Sequence, residues 1–389
     1  MLNIRELLEQ EKSYLIALRR EFHQHPELSM QEFCTARRIE EELDRLGIPH
    51  SRVGETGVLG ILQGTGKGDG IIALRADIDA LPIQETGGAD YCSVTPGVMH
   101  ACGHDAHAAC LLGAAKLLAE HRELFGGEIR LIFQPGEEIG QGAKAFVEAG
   151  ALEGAERVFG LHVASELLSG TVGLKPGLNN AAVDQFKITI HGKSAHVSTP
   201  QLGIDALYIA TQIVVAFQAL VTRLTSAVEP VIIGVGKLNA GTTYNALAES
   251  AVLEGTTRTV SVQTRERIRA LIEKTVQNIA DIYGGSAEFS WTDCAAPLIN
   301  DPEVCKEAAD AAKQLFGAGN IITDRPLSLS GDNFAEFLLY KPGAYAYLGT
   351  GNPSLTGTMN PGHNGNFDID EDALVSGAGL YAAYALSRL

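Results

Sequence analysis

Ile71-Ile-Ala-Leu-Arg-Ala-Asp-Ile-Asp79 is a short apolar run that ends in two aspartates. Its apolar part, Ile71 to Arg75, reads as a strand too short to be a helix. Similar runs occur at Val58 to Leu62, Ile129 to Gln134 and Val158 to His162. Between them lie alanine-rich stretches with helical character, Ala108 to Ala119 and Ala143 to Ala149. Short apolar strands alternating with helices predict an α/β sheet covered on both faces. Polar groups then collect where the strands stop. Asp77 and Asp79 follow one run, Glu137 and Glu138 follow another, and His162 closes Val158-Phe-Gly-Leu161. Ligand sites of open α/β sheets lie at the carboxyl ends of strands, so one shared site is expected there.

The N-terminal stretch from Leu2 to about His23 reads as one amphipathic helix, and Ser29 to Leu46 as a second, stopped by Gly47. From about Asp184 the pattern changes. Gln185 to His191 alternates as a half-exposed strand, and Ile204 to Leu224 is helical. Strands at Pro230 to Leu238 and Ser250 to Thr257 follow, then a helix from Thr264 to Tyr283 and a strand from Ala287 to Trp291. This β-α-β-β-α-β order is that of a ferredoxin-like unit. The expected organisation is a discontinuous α/β domain, 1–183 and 292–389, interrupted by an inserted domain, 184–291. The Gln185–His191 strand is a candidate edge for pairing with a second copy.

A chain of 389 residues with 45% apolar and 20% charged residues is an ordinary globular composition for two domains. Its formal net charge of −17 argues against nucleic acid or an anionic membrane as partner. The six cysteines are scattered, which suits free thiols or ligands better than a disulfide scaffold. Charges in Met1-Leu-Asn-Ile-Arg-Glu-Leu-Leu-Glu9 interrupt the apolar core that a signal peptide needs, and no apolar run is expected to reach the roughly 18 residues of a membrane span. A cytoplasmic enzyme is the expectation.

Met99-His-Ala-Cys-Gly-His-Asp-Ala-His107 sets three histidines, a cysteine and an aspartate close together, and Gln134-Pro-Gly-Glu-Glu138 follows. Thiolate, imidazole and carboxylate are the ligand types of a divalent ion such as zinc. A free glutamate beside a glutamate ligand is what a metal-assisted hydrolase needs to deprotonate water. By spacing alone, His100 and His107 compete with His104 as ligands. Asp77, Asp79 and Asp105 could orient a ligand imidazole through its other nitrogen.

Together with Arg20-Glu-Phe-His-Gln-His-Pro-Glu-Leu28, Gly192-Lys-Ser-Ala-His196 and His363-Asn-Gly-Asn-Phe367, these motifs resemble the M20 metallopeptidase family. The likeness is to its amidohydrolase branch, which includes hippurate hydrolases, auxin-conjugate hydrolases and N-acetyldiaminopimelate deacetylases. The resemblance implies a metallopeptidase-type catalytic domain with a ferredoxin-like lid and dimerisation insert. It implies two divalent ions (Zn, Mn, Ni or Co) held by Cys102, His104, Glu138, His162 and His363. Either Cys102 or His104 could bridge them, with Cys102 the preferred choice. It implies Glu137 as general base and His196, from a partner subunit, as oxyanion donor. Asn245 and Arg258 match positions that hold a substrate carboxylate. The implied activity is hydrolysis of N-acyl amino acids, with a dipeptidase or aminopeptidase as alternative, in a homodimer or dimer of dimers. The chain departs from the usual pattern at Asn245-Ala-Leu-Ala248, Gly331-Asp-Asn-Phe334 and Pro361-Gly362, in or near segments that would contact substrate.

Overall fold

The computed structural model describes residues 3–389, which divide into two compact units. Of the described residues, the first comprises 3–179, Ile299–Pro326 and Asp332–Leu389, and the second Asn180–Leu298 with Leu327–Gly331. These limits lie a few residues outside the expected boundaries at 184 and 291.

The first unit is built on an eight-stranded mixed sheet. At its centre four parallel strands stand side by side in the order Glu128–Gln134, Ile71–Asp77, Arg157–Leu168, Gly343–Gly351. Their apolar residues are buried on both faces, as in Gly343–Gly351, which is buried throughout. The helices His104–Glu120 and Ala373–Arg388 belong to the same core, with Leu111, Leu118, Leu374 and Tyr381 fully buried. Burying this much apolar surface is the main term that holds the unit together.

Four local readings need correction. The N-terminal helix is two helices, Ile4–Gln10 and Lys12–Gln24, and the next begins at Phe33 instead of Ser29. The alanine-rich helix begins at His104, four residues before the alternation suggested. His162 does not close its strand. Val163, Ala164 and Ser165 continue the buried backbone, and the strand runs to Leu168.

The second unit has a four-stranded antiparallel sheet in the order Ser286–Ala295, Ala182–His191, Ser250–Thr259, Ile232–Ala240. Two helices, Ala206–Leu224 and Val262–Ile282, pack with it around Phe186, Ile188, Ile213, Phe217, Ile268 and Ile272. Asp205 and Ser261 start these helices by accepting from the free backbone N–H groups of the first turn. Ala182–His191 lies between two strands, so it is not an edge; the edges are Ile232–Ala240 and Ser286–Ala295. The expectation about apolar runs also needs correction. Ala206–Leu224 is long and apolar enough to cross a membrane by length and composition, with a mean hydropathy of 1.5 over its richest window. Its buried positions, Ile209, Ile213, Phe217 and Leu220, repeat every three or four residues, which is the spacing of a sheet-covering helix.

Candidate metal centre and active site

Gly103 separates Cys102 from His104 and makes their close approach possible. Its φ is +83°, and a Cβ there would lie 2.4 Å from Val163 Cγ2. The chain turns sharply at this glycine, so His104 opens the helix with Cys102 just ahead of it. Across the sheet, Gly136 at φ +65° ends the Gln134 strand and directs Glu137 and Glu138 into a single turn of 3₁₀ helix. Asp79 ties these segments together. It accepts from Glu138 N at 3.0 Å and from the His104 Nδ1–H at 3.2 Å.

Among the described residues, two groups of possible ligands share the cysteine: Cys102 with His104 and His162, and Cys102 with Glu138 and His363. Cys102 Sγ is 3.4 Å from His162 Nε2, and His363 Nε2 is 3.4 Å from Glu138 Oε2. His104 Nε2 and Glu138 Oε1 are buried, have no hydrogen-bond partner among the described residues and stand 3.8 Å apart. Unpartnered buried donors and acceptors are costly unless something satisfies them. The ring tautomers favour a cation as that partner. His104 uses Nδ1 on Asp79, and His162 uses Nδ1 on Val163 O at 2.6 Å, so each turns an Nε2 lone pair inward. The site thus offers a soft thiolate, imidazoles and a carboxylate, a donor set that fits borderline divalent ions.

Electrostatics sharpen these roles. Burial, with His107 alongside, lowers the His162 imidazole to about 4 and keeps it neutral. Burial opposes a charge on His104, but Asp77 and the hydrogen bond to Asp79 outweigh it and raise its pKa. Burial and Glu138 push the Cys102 thiol up, so a cation must displace its proton. Burial, then Asp332 and Glu138, raise Glu137 well above the ordinary carboxylate range.

The competing histidines have other tasks. His107 donates from Nδ1 to Asp77 at 2.5 Å, and its Nε2 accepts from Val163 N at 2.9 Å. Both nitrogens are thereby used, and His107 fixes the backbone beside His162. His100 is buried, its pKa is lowered to about 4 by desolvation, and neither ring nitrogen has a partner among the described residues. It therefore orients no ligand through a hydrogen bond. Asp79 does hold a candidate ligand, His104, whereas Asp105 pairs with Arg19 at 2.9 Å and His23 at 2.7 Å.

The sequence reading missed Asn333. Its backbone N–H donates to Glu137 Oε1 at 3.1 Å. Its side chain accepts from Arg75 at 3.1 Å and Gln134 at 2.8 Å, and donates to Gln141 O at 2.6 Å. The only signal for it was the departure at Gly331-Asp-Asn-Phe334.

In the second unit, the segments carrying His196 and Asn245 run antiparallel, with His196 bridged to Ala246 and Val197 N donating to Asn245 O. His196 Nδ1 accepts from Ser198 N at 3.1 Å, which leaves the proton on an exposed Nε2. Arg258 is elsewhere. It stands near the far end of Ser250–Thr259, roughly 25 Å along the strand from Ser250 at 3.3 Å per residue. Its Nε donates to Leu329 O at 2.9 Å and its Nη1 to Thr257 O at 2.8 Å. Within one chain, Arg258 therefore lies well apart from Asn245.

Residues 73–387 match peptidase family M20/M25/M40. The chain belongs to this family. Among M20 relatives, it is 41% identical over 362 residues to N-acetyl-L-cysteine deacetylase of Bacillus subtilis, covering 93% of this chain and 85% of that one. It is 38% identical over 380 residues to thermostable carboxypeptidase 2 of Saccharolobus solfataricus, covering 96% and 95% of the two chains. A solved M20 structure from Bacillus subtilis, described as a dinuclear metal-binding peptidase, superposes with a TM-score of 0.81 at 35% identity, covering 97% of this chain and 98% of that one.

Proposed function

We propose that this M20 protein is a binuclear-metal amidohydrolase that cleaves the amide bond of N-acyl amino acids. The observation that carries the proposal is the pair of ligand groups sharing Cys102, with unpartnered His104 Nε2 and Glu138 Oε1 between them. Cys102, His104, Glu138, His162 and His363 would hold two divalent ions, with Cys102 common to both ligand groups. Bound there, such ions polarise a carbonyl and acidify water near neutral pH.

The chain's own residues do the rest. Glu137 takes the proton of the attacking water and passes it to the leaving nitrogen. Its raised proton affinity, from burial and from Asp332 and Glu138, suits that exchange. The Asn333 N–H on Oε1 holds the carboxylate in place. His196, protonated on Nε2, has the donor that a developing oxyanion needs. Arg258 retains Nη2 for a substrate carboxylate.

We assign the first unit as the catalytic domain and the second as a ferredoxin-like lid and dimerisation insert. His196 acts in the site of a partner subunit, and Asn245 and Arg258, drawn from the two subunits, orient the substrate carboxylate. Support for pairing comes from the exposed edge strand Ile232–Ala240 and from exposed Leu207, Tyr208 and Val215 on the helix Ala206–Leu224. A homodimer follows, or a dimer of dimers.

The named relatives share one demand on substrate. A deacetylase acting on an N-acetyl amino acid and a carboxypeptidase both cleave an amide whose nitrogen belongs to an amino acid with a free carboxylate. A panel of N-acetyl and N-benzoyl amino acids, their carboxamides, and dipeptides tests this with manganese, zinc, cobalt or nickel added. Acylated free acids are expected to be cleaved at least about 10-fold faster than the carboxamides, the loss associated with a missing charged hydrogen bond. Preference for dipeptides with a free α-amino group would favour the peptidase alternative.

A further inference from the structure

We infer that Arg19, Tyr91 and Asp368 form a clamp that holds the His363 loop in ligating position, which makes Tyr91 and Asp368 positioning residues for one of the two ions. The inference rests on the donor set proposed above and goes beyond it to residues outside that set.

His363 is an unusual ligand. Its φ is +63°, a left-handed conformation that a residue with a Cβ avoids unless its surroundings impose it. Its ring is more than half exposed, so packing does not impose it. The backbone tie nearest the ring is His363 N donating to Ala101 O at 2.7 Å. The rest of the hold comes from farther along the loop, where Asp368 is an anchor whose two carboxylate oxygens are both engaged. Its Oδ1 accepts from Arg19 Nη2 at 2.8 Å, and its Oδ2 accepts from the Tyr91 hydroxyl at 2.7 Å. From the Tyr91 side, Thr86 N also donates to Gly365 O at 2.7 Å.

Arg19 makes the anchor directional. It is fully buried, and its Nε donates to Asp105 Oδ2 at 2.9 Å. Asp105 is the residue after His104, so one guanidinium joins the helix that begins with His104 to the loop that carries His363. The Tyr91 ring lies beside it, 5.0 Å from the Arg19 guanidinium carbon. Arg19 is rigid for the same reason that it is buried, since a planar cation with fixed carboxylates on two edges has little freedom to move. The clamp thus sets the separation of two donors that come from distant parts of the chain.

Replacing Arg19 would take from the buried Asp105 one of its two ion-pair partners, leaving His23, and endanger the fold. Tyr91→Phe and Asp368→Asn are milder. The first keeps the ring and removes one donor; the second keeps the size and weakens acceptance from Arg19 or Tyr91. The whole metal-free protein is titrated with Zn²⁺ or Mn²⁺ against a chromophoric chelator, with His363→Ala as reference, and the metal-free Tm is recorded. Two ions are expected to bind the unaltered protein. In both variants the ion weakened by His363→Ala should lose about 10-fold or more in affinity, the usual effect of removing an outer partner of a metal ligand, while the other changes less than about 2-fold. Unchanged affinity for both ions would overturn the inference. So would equal weakening of both with a fall in Tm, because that is a general structural effect. Fewer than two ions in the unaltered protein would overturn the donor-set reading itself, and this inference with it.

Discussion

Glu137→Gln is expected to lower turnover on the best N-acyl amino acid by about 10²- to 10⁴-fold, the usual contribution of a general base, with metal content near that of the unaltered protein. The substitution is close to isosteric. The amide oxygen of the new side chain can still accept from Asn333 N, which lies 3.1 Å from Glu137 Oε1 in the native site, so the turn carrying Glu138 should keep its shape. What is lost is a carboxylate whose proton affinity is raised by burial, Asp332 and Glu138. Metal analysis belongs in the same experiment, because Glu137 also falls within a possible ligand group with His104 and Glu138. Loss of activity with loss of metal would make Glu137 a ligand instead of the base. Near-normal turnover would mean that another group takes the proton.

His196→Ala should lower kcat by the equivalent of roughly 2.7–4 kcal/mol, as removal of one oxyanion donor does, without a comparable loss of metal. The basis is the tautomer. Ser198 N donates to Nδ1, so the exposed Nε2 carries the hydrogen that an oxyanion would accept. The trans arrangement gives a second readout. Mixing inactive His196→Ala subunits with inactive Glu137→Gln subunits should restore activity, because one site in each heterodimer then has both groups intact. No recovery after verified subunit exchange would mean that His196 acts within its own subunit or outside the reaction.

Much of the first unit was legible because its strands are short, apolar and followed by acidic residues. Ile71 to Arg75 and Ile129 to Gln134 read as strands for that reason and lie within Ile71–Asp77 and Glu128–Gln134, since a strand buried on both faces is a near-continuous apolar run. His162 broke the rule. A polar side chain can sit inside such a strand if its nitrogens are satisfied, and His162 reaches its own neighbour's carbonyl. The early start of the His104 helix was hidden in Gly103, whose left-handed backbone conformation lets the chain turn directly into the helix.

The central donors were legible from residue types at close spacing, but their supports were not. Asn333 reaches Glu137 across 196 positions, and Arg19 reaches Asp105 across 86. No local pattern encodes a backbone N–H on a distant carboxylate. His107 was ambiguous for a related reason. Only the structure reveals that Asp77 and Val163 N occupy both of its nitrogens. In the second unit, alternation in Gln185–His191 gave a half-buried strand but could not say whether the strand was central or an edge. That depends on pairing with Ser250–Thr259 and Ser286–Ala295.

The central claim is that two ions held around Cys102 enable amide hydrolysis. It is tested most directly by stripping the protein with a chelator, then following hydrolysis of an N-acetyl amino acid as a divalent metal is returned in measured equivalents. The account predicts no turnover without metal and recovery that is complete at two equivalents per chain. Full activity in protein shown to be metal-free would contradict it, and so would complete recovery at one equivalent.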